Sequence, residues 1–460
     1  MMSVSCEKFL SENLKGGYSS ENYYTSASKA EMAVNAIYNS LYDNILWMFG
    51  DVASDDSVKG GADGDQPQID ELDALTASAD NGSLGTFWKD CYETIARANN
   101  AIANIEAMQL DNAVKTRLVA QAKFFRAYSY FYLVNIFGQV PLKTKPQNTS
   151  DAIHVGLSPV ADIYAQIDQD LTDAAEGLTD VKDGHANRAA AYALLAKSKV
   201  FQAKWDEAIA AINSFKTVNA TAGYDLEPNY SDLFKAGGEN SVESIFAIRY
   251  ATNKIASYGN NLAVWFSPFT EGGYHFNAPT QSYVDCFSEQ TVGGDDDPRL
   301  DASIGRHGKP WFNGTTFDKS WSNTGYLVKK YDEDPVEDMA KNQSAIPQHR
   351  IRYAEVLLLE AEALNEASAA NTATAAAVLN QVRGRAGLAG TAAANQAALR
   401  DAIRLERRRE LGFEFHRFFD VMRYGRDYAV AAIGAAAWPS DRYYFPIPQG
   451  ETDANAALKN

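Results

Sequence analysis

The sequence predicts a mostly α-helical protein: a superhelix of antiparallel helical hairpins into which a long, irregular, loop-rich lobe is inserted. Three observations carry this. Two consecutive segments between 84 and 138 keep apolar residues at helical spacing. Two later segments, 185–215 and 352–387, each read as a pair of helices joined by a short connection. Within 240–345 helical periodicity is lost, and Gly, Asn, Pro and aromatic residues accumulate.

In chain order, ASKAEMAVNAIYNSLYDNILWMF (27–49) reads as a first helix. Residues 51–70, DVASDDSVKGGADGDQPQID, are rich in Asp and Gly and nearly free of large apolar side chains, which predicts a solvated loop. The helix beginning at Leu84 places Phe87, Cys91, Ile95, Ala98 and Ile102 on one face. AVKTRLVAQAKFFRAYSYFYLVNIFG is apolar around most of its circumference and belongs in the core, with Gly138 and Pro141 stopping it. A weaker helix spans about 158–176. In 185–215 the small residues Ala189, Ala193 and Ala196 permit close helix approach, and KWDEAIAAI restarts a helix after a tight turn. This is a tetratricopeptide-like arrangement without a fixed repeat period. VESIFAIRYA alternates as a strand does, and the irregular stretch after it is of the kind that either binds a ligand or packs as a lobe of its own. The resulting division is 1–26, an N-terminal linker; 27–245 and 346–460, the two parts of a helical scaffold; and 246–345, the inserted lobe.

Composition excludes several functions. The 460 residues are 46% hydrophobic and 22% charged, enough for a packed core, and the net charge of −17 argues against a basic nucleic-acid surface. No apolar run is long enough for a spanning helix. Of the three cysteines, Cys91 and Cys286 read as free thiols in apolar contexts. Cys6 ends the short segment MMSVSC, the kind of junction at which lipoprotein processing leaves an acylated residue. The apolar run that should precede it is absent, so the reading is that most of a signal peptide has been removed. No C-x-x-C, H-E-x-x-H, G-x-S-x-G or P-loop occurs. GGADG lacks the strand and helix a phosphate cradle needs. The aspartates of 51–70 are oxygen ligands that calcium would accept, but they do not follow calcium-loop spacing, since the twelfth position from Asp51 is Ala62; the expectation is a plain loop with neither metal nor cofactor, bound calcium being the alternative. No pair of carboxylates stands out as a catalytic acid and base, and the expectation is a protein without enzymatic activity.

The ligand candidates are instead aromatic: Trp265, Phe266, Tyr274, Phe276, Trp311 and Trp321, rings that can stack on sugars while neighbouring Asn, Asp and Gln bond the hydroxyls. The arginine-rich stretch RLERRRELGFEFHRFFDVMRYG (404–425) reads as structural. On one helix, Ile403, Leu411, Phe415, Phe418, Phe419 and Met422 form a stripe, and Arg407 fills its gap. Arg407 is therefore expected to be buried with a carboxylate partner, while Glu406, Glu410, Glu414 and Asp420 interleave with the arginines.

These motifs together resemble the SusD/RagB family of Bacteroidetes outer-membrane lipoproteins. The likeness runs through Cys6 with EKFL; through Trp88, Ala98 and Asn99; and through AKFFRAYSYFYLVNIFGQVPL, YALLAKSKVF, DDPRLD, YLVKKY, RYAEVLLLEAEALNE and LNQVRGRAGL. ERRRELGFEFHRFFDVMR matches at Glu406, Arg407, Glu410, Leu411, Phe413, Glu414, Arg417, Asp420 and Arg423, and departs at Phe415, where glycine is usual. The resemblance implies four tetratricopeptide-like hairpins, a lipid anchor at Cys6 on the outer membrane, and a SusC-like TonB-dependent transporter as partner. It also implies glycan binding without chemistry, with peptide binding as the alternative within the family and an all-α glycoside hydrolase as the alternative outside it. Family ligand sites select 55–68 and 258–280 here, giving Trp265, Tyr274, Phe276, Asp56, Lys59 and Asp65 as the expected contacts. The identity of the glycan does not follow.

Overall fold

The computed structural model describes residues 23–41, 45–147, 154–251, 259–334, 340–434 and 442–459; Cys6 and most of the N-terminal linker lie outside the described residues. The scaffold helices are α1 (Ala27–Ser40), α2 (Gly82–Ala107), α3 (Asn112–Phe137), α4 (Val160–Gly177), α5 (Arg188–Phe201), α6 (Trp205–Ala222), α7 (Tyr353–Ala367), α8 (Thr372–Arg385), α9 (Gln396–Leu411) and α10 (Arg417–Arg423). Six short strands, β1 (Ser57–Gly60), β2 (Ser244–Ile248), β3 (Phe276–Pro279), β4 (Ile304–Arg306), β5 (Tyr326–Val328) and β6 (Gln348–Arg352), form three antiparallel pairs: β1–β3, β2–β6 and β4–β5. Among the described residues no helix is long and apolar enough to cross a membrane.

Local chemistry fixes the helix ends. Asn81, Asp111, Asn187 and Asn395 cap α2, α3, α5 and α9 with side-chain oxygens that accept from backbone N–H groups of the first turn. Gly138 ends α3 at a φ of 72°, a conformation that costs glycine little. From Leu118 to Phe137, α3 is buried almost without interruption, because α2 covers one side and α4 the other. Its buried cation, Arg126, is answered by Asp170 of α4 at 2.6 and 2.8 Å and by Asn99 of α2 at 2.8 Å. Each helix of the first part packs on the next, and α7 returns to pack on α5 and α6 as well as on α8 and α9. The chain thus leaves the scaffold after α6 and re-enters it beside α6. At this junction β2 pairs with β6, so entry and exit of the lobe lie side by side.

Two sequence expectations need correction. Residues 51–61 are not a solvated loop: apart from half-buried Asp55 and Val58 they are buried, and they contribute a π-helical turn (Met48–Val52) and β1, followed by a short helix at Pro67–Asp73. Nor is 404–425 one helix. It breaks between α9 and α10 at Gly412–His416, where Phe413 and Phe415 adopt φ of 60° and 68°. A side chain on Gly412 would strike Tyr283, and one on Gly50 would strike the Phe415 backbone, so the break is clamped from both sides. The left-handed conformation of Phe415 accounts physically for glycine being usual there. A phenylalanine in it costs on the order of 1 kcal/mol. Burial of its ring, stacked 5.8 Å from Tyr331, offsets that cost. The apolar stripe survives the break: Ile403, Leu411, Phe415, Phe418, Phe419 and Met422 are all buried.

The arginines are structural, as expected. Arg407 is 1% exposed and donates to both carboxylate oxygens of Asp420, at 3.1 and 3.2 Å. Arg423 shares Asp420 and also pairs with Glu362. Arg404 lies over the rings of Tyr424 and Tyr428. The interleaved glutamates turn mostly to cations from elsewhere in the chain. Glu406 and Glu410 accept from Arg299, Glu410 also from Arg352 and Arg385, and Glu414 from Arg352 and Lys330. Burial would raise the Glu410 carboxyl, but Arg385, Arg352 and Arg299 together hold it well below the carboxylate range. Burial pulls Lys330 down to about 8 despite the neighbouring Glu414.

Candidate functional site

The two segments selected from sequence, 55–68 and 258–280, are brought together by the β1–β3 pair. Its register sets Ser57 opposite Pro279, Val58 opposite Ala278 and Gly60 opposite Phe276. Gly61 N–H then donates to the His275 carbonyl at 2.9 Å. A Cβ on Gly61 would collide with the Phe276 ring, and Gly60, Gly61 and Gly64 all take positive φ. The glycines of KGGADG therefore serve a close crossing of two backbones, and the loop 62–65 emerges exposed beside Tyr274 and His275.

Beneath this crossing the first half of the Asp-rich segment is locked. Asp51 accepts from the Phe415 N–H at 3.1 Å and from Asn277 Nδ2 at 3.0 Å, and Ser57 Oγ donates to Asn277 Oδ1 at 2.5 Å. Burial pushes the Asp51 carboxyl up to about 8, against those two donors. Arg417 grips Asp55 at 2.7 and 2.9 Å, and Arg408 Nε donates to Asp56 Oδ1 at 2.6 Å. Burial alone would raise Asp55; the Arg417 hydrogen bonds and charge overcome it and hold the carboxyl low. Asp56 is shifted upward, because burial and the Asp55 charge outweigh its arginines.

The expected contact residues therefore divide. Tyr274 is 49% exposed, and its ring meets the half-buried Trp265 edge to face at 5.6 Å. Trp265 in turn rests on Trp47 and Phe276, at 5.8 and 5.3 Å. The backbone holds the pair rigidly: Tyr274 N–H donates to Val264 O at 2.8 Å and His275 N–H to Ser267 O at 3.0 Å, with Gly273 so close to Ser267 that any side chain there would clash. Asp65 is exposed and lies near enough to His275 for its charge to oppose the lowering that burial imposes on the imidazole. Three expected contacts are corrected. Phe276, at 1% exposure, is the floor under Trp265 and Gly61. Asp56, also at 1%, is spent on Arg408. Lys59 is buried and directs Nζ to the Asp65 carbonyl at 2.8 Å and to Asp70 at 2.6 Å, while its N–H donates to Asp73. It shapes the exposed loop from below.

The other aromatic candidates are structural. Phe266 is buried against Trp47 and Tyr331. Trp311 and Trp321 form a small core of the lobe with Phe317 and Leu327, and Trp311 Nε1 donates to Glu271 at 3.0 Å. Sequence reasoning missed Phe269, which is 77% exposed at the tip of the turn SPFTEGG that leads into Tyr274. The signal was present: a large ring between Pro268 and Gly272-Gly273 has little to pack against. It also missed Trp47, the buried support of Trp265, which looked like one more residue of the first helix.

The scaffold is of the helical-hairpin class, and it presents an aromatic edge beside a short polar loop. Comparison with known proteins supplies the family. The SusD family model matches residues 242–460, and a model described as starch-binding associating with outer membrane matches residues 18–200. A SusD-like protein of Formosa agariphila is 28% identical, over 90% of this chain and 87% of its own length. A SusD superfamily protein from Bacteroides vulgatus superposes with a TM-score of 0.83 at 23% identity, covering 95% of this chain and 99% of that one. A laminarin-binding SusD-like protein superposes at 0.78 and 27% identity, covering 93% and 97%. The chain belongs to the SusD-like family.

Proposed function

We propose that this protein is a cell-surface glycan-binding lipoprotein, anchored through Cys6 in the outer membrane, that captures oligo- or polysaccharide and delivers it to a SusC-like TonB-dependent transporter. The observation that carries the binding half is the β1–β3 crossing, which sets the exposed Tyr274 ring, backed by Trp265, next to the polar loop ending at Asp65. A sugar ring stacks on Tyr274 through its C–H face while its hydroxyls reach the loop, and the tight backing of the aromatic pair keeps the entropic cost of binding small. Asp56, Lys59 and Phe276 position this edge without touching the glycan. Family membership and the laminarin-binding relative support carbohydrate as the ligand class and make laminarin the first probe. The protein binds without altering its ligand.

Native electrophoresis through gels containing laminarin, starch or other polysaccharides, run alongside a reducing-sugar assay, tests this. Retardation by at least one glycan with no sugar released is the expected result. Release of reducing sugar contradicts a binding-only role, and mobility unchanged in every gel contradicts glycan capture in favour of peptide binding.

A further inference from the structure

The chain contains two Asn-Gly steps, Asn81-Gly82 and Asn313-Gly314, and the fold treats them in opposite ways. An asparagine followed by glycine is chemically labile in water, because glycine has no Cβ to keep its backbone nitrogen away from the side-chain amide carbon. The surroundings decide whether the step reacts. The carboxamide must be free to turn toward that nitrogen, and the glycine N–H must be free to give up its proton.

At Asn81 the carboxamide is fully committed. The residue is 5% exposed and caps α2. Its Oδ1 accepts from the N–H groups of Ser83 and Leu84 at 3.0 and 3.4 Å, and its Nδ2 donates to the Gln68 carbonyl at 2.9 Å and to Glu71 at 2.7 Å. Turning this amide toward Gly82 would uncap the helix.

Asn313 stands instead at the tip of a hairpin in the lobe. A bridge between Pro310 and Thr316 and a hydrogen bond from Trp311 N–H to the Thr315 carbonyl at 2.9 Å hold its arms together, and Thr315 N–H closes the turn on the Phe312 carbonyl at 3.1 Å. With φ of 55° at Asn313 and 66° at Gly314, this is the two-residue turn that Asn-Gly favours. Residues 313–316 are all exposed. The Asn313 N–H donates to Asp334, but among the described residues neither the Asn313 carboxamide nor the Gly314 N–H has a hydrogen-bond partner.

We propose that Asn313 is a site of spontaneous deamidation. The Gly314 nitrogen gives its proton to solvent base and forms a bond to Asn313 Cγ. The bond from Cγ to Nδ2 breaks, and the nitrogen leaves as ammonia with a proton from water. Water then opens the resulting succinimide: attack at Cγ gives aspartate, and attack at the main-chain carbonyl gives isoaspartate. Either product adds a negative charge next to Asp334, and isoaspartate also routes the main chain through Cβ, which lengthens the turn. The change enters the lobe two residues from Trp311, the ring that ties the small core of the lobe to Glu271 in the turn before Tyr274.

The test is to incubate the full chain at mildly alkaline pH and physiological temperature, digest it and map the peptides by mass spectrometry, with isoaspartate detected by an isoaspartyl methyltransferase. The mass gain of an amide-to-acid conversion is expected to accumulate at Asn313, faster at higher pH and partly as isoaspartate. At Asn81 it is expected to be at least about tenfold slower, since that residue must first leave its cap. In guanidinium chloride, where the fold is gone, the two steps are expected to convert at similar rates. Asn313→Gln is expected to remove the isoaspartate signal of the folded protein. An Asn313 that stays intact in the folded protein while it converts in denaturant overturns the proposal, and so does equal conversion of Asn81 and Asn313 in the folded protein.

Discussion

The two halves of one Asp-rich segment meet opposite fates. Residues 51–60 are drawn inside, where Asp51, Asp55 and Asp56 are met by the Phe415 N–H, Arg417 and Arg408 from the far end of the chain. Residues 62–65 stay outside, beside Tyr274. Composition hardly changes across the boundary; the partners do. A carboxylate with a guanidinium waiting for it is part of the core, and one without is free to meet a ligand. The arginine-rich stretch and the aromatic edge are thus joined through a single segment, yet they do separate work, one holding the fold and the other facing solvent.

The sharpest way to break that division is at the seam. Arg352→Ala strips counter-charges from Glu243, Glu410 and Glu414 at once. The loss of one partner from a buried network costs about 3–5 kcal/mol. Denaturant unfolding is expected to register a fall of that size, and a change under about 1 kcal/mol would mean that the seam is not what holds the scaffold to the lobe. Arg407→Ala is next. Arg423 still pairs with Asp420, so the expected cost is smaller, about 2–3 kcal/mol, with glycan retardation of the folded protein unchanged.

A pH titration separates the carboxylates by sign. The Asp51 carboxyl, raised to about 8 in the folded protein, stays protonated there while the unfolded chain ionises it near 4. Its contribution to stability therefore declines as pH rises from about 4 to about 8. Asp55 and Asp420, held low by arginine, contribute in the opposite sense, and that contribution is lost as pH falls below about 4. Asp51→Asn is expected to remove a slope on the order of 1 kcal/mol per pH unit across the higher window and to leave the acid limb intact. An unaltered slope would show that Asp51 is ionised in place. Smallest in stability are the edge residues: Tyr274→Ala is expected to change unfolding by less than about 0.5 kcal/mol while weakening binding roughly tenfold. Trp265→Ala, whose ring is half-buried, is expected to weaken retardation too, at a stability cost of about 1–3 kcal/mol.

The legible part of the fold was the part written in local periodicity. Helices α2, α3, α5, α6, α7 and α8 follow from apolar spacing and caps, and Arg407 follows from its place in an apolar stripe. The segment 51–61 was misread because local composition cannot reveal partners that lie more than three hundred residues away. The break at Gly412–His416 was hidden because α9, the turn and α10 keep one stripe of apolar side chains, so the periodicity passes over a change of backbone direction. At the candidate site, Tyr274 and Trp265 stood out because large rings in a non-periodic, glycine-rich stretch are conspicuous. Phe276 looked the same in sequence, and only the β1–β3 register turns it inward. Asp56 and Lys59 were selected by their segment, yet both are buried and paired within the chain, since burial decides whether a charge meets solvent or holds a loop.

The division between seam and edge is tested most directly by running Tyr274→Ala and Arg407→Ala side by side through the gel of a glycan that retards the wild type, with melting temperatures measured on the same preparations. The expected outcome is a crossed one: Tyr274→Ala melts with the wild type and is retarded far less than it, whereas Arg407→Ala melts lower and is retarded in full. Full retardation of Tyr274→Ala would contradict the account, and so would loss of retardation by a folded Arg407→Ala.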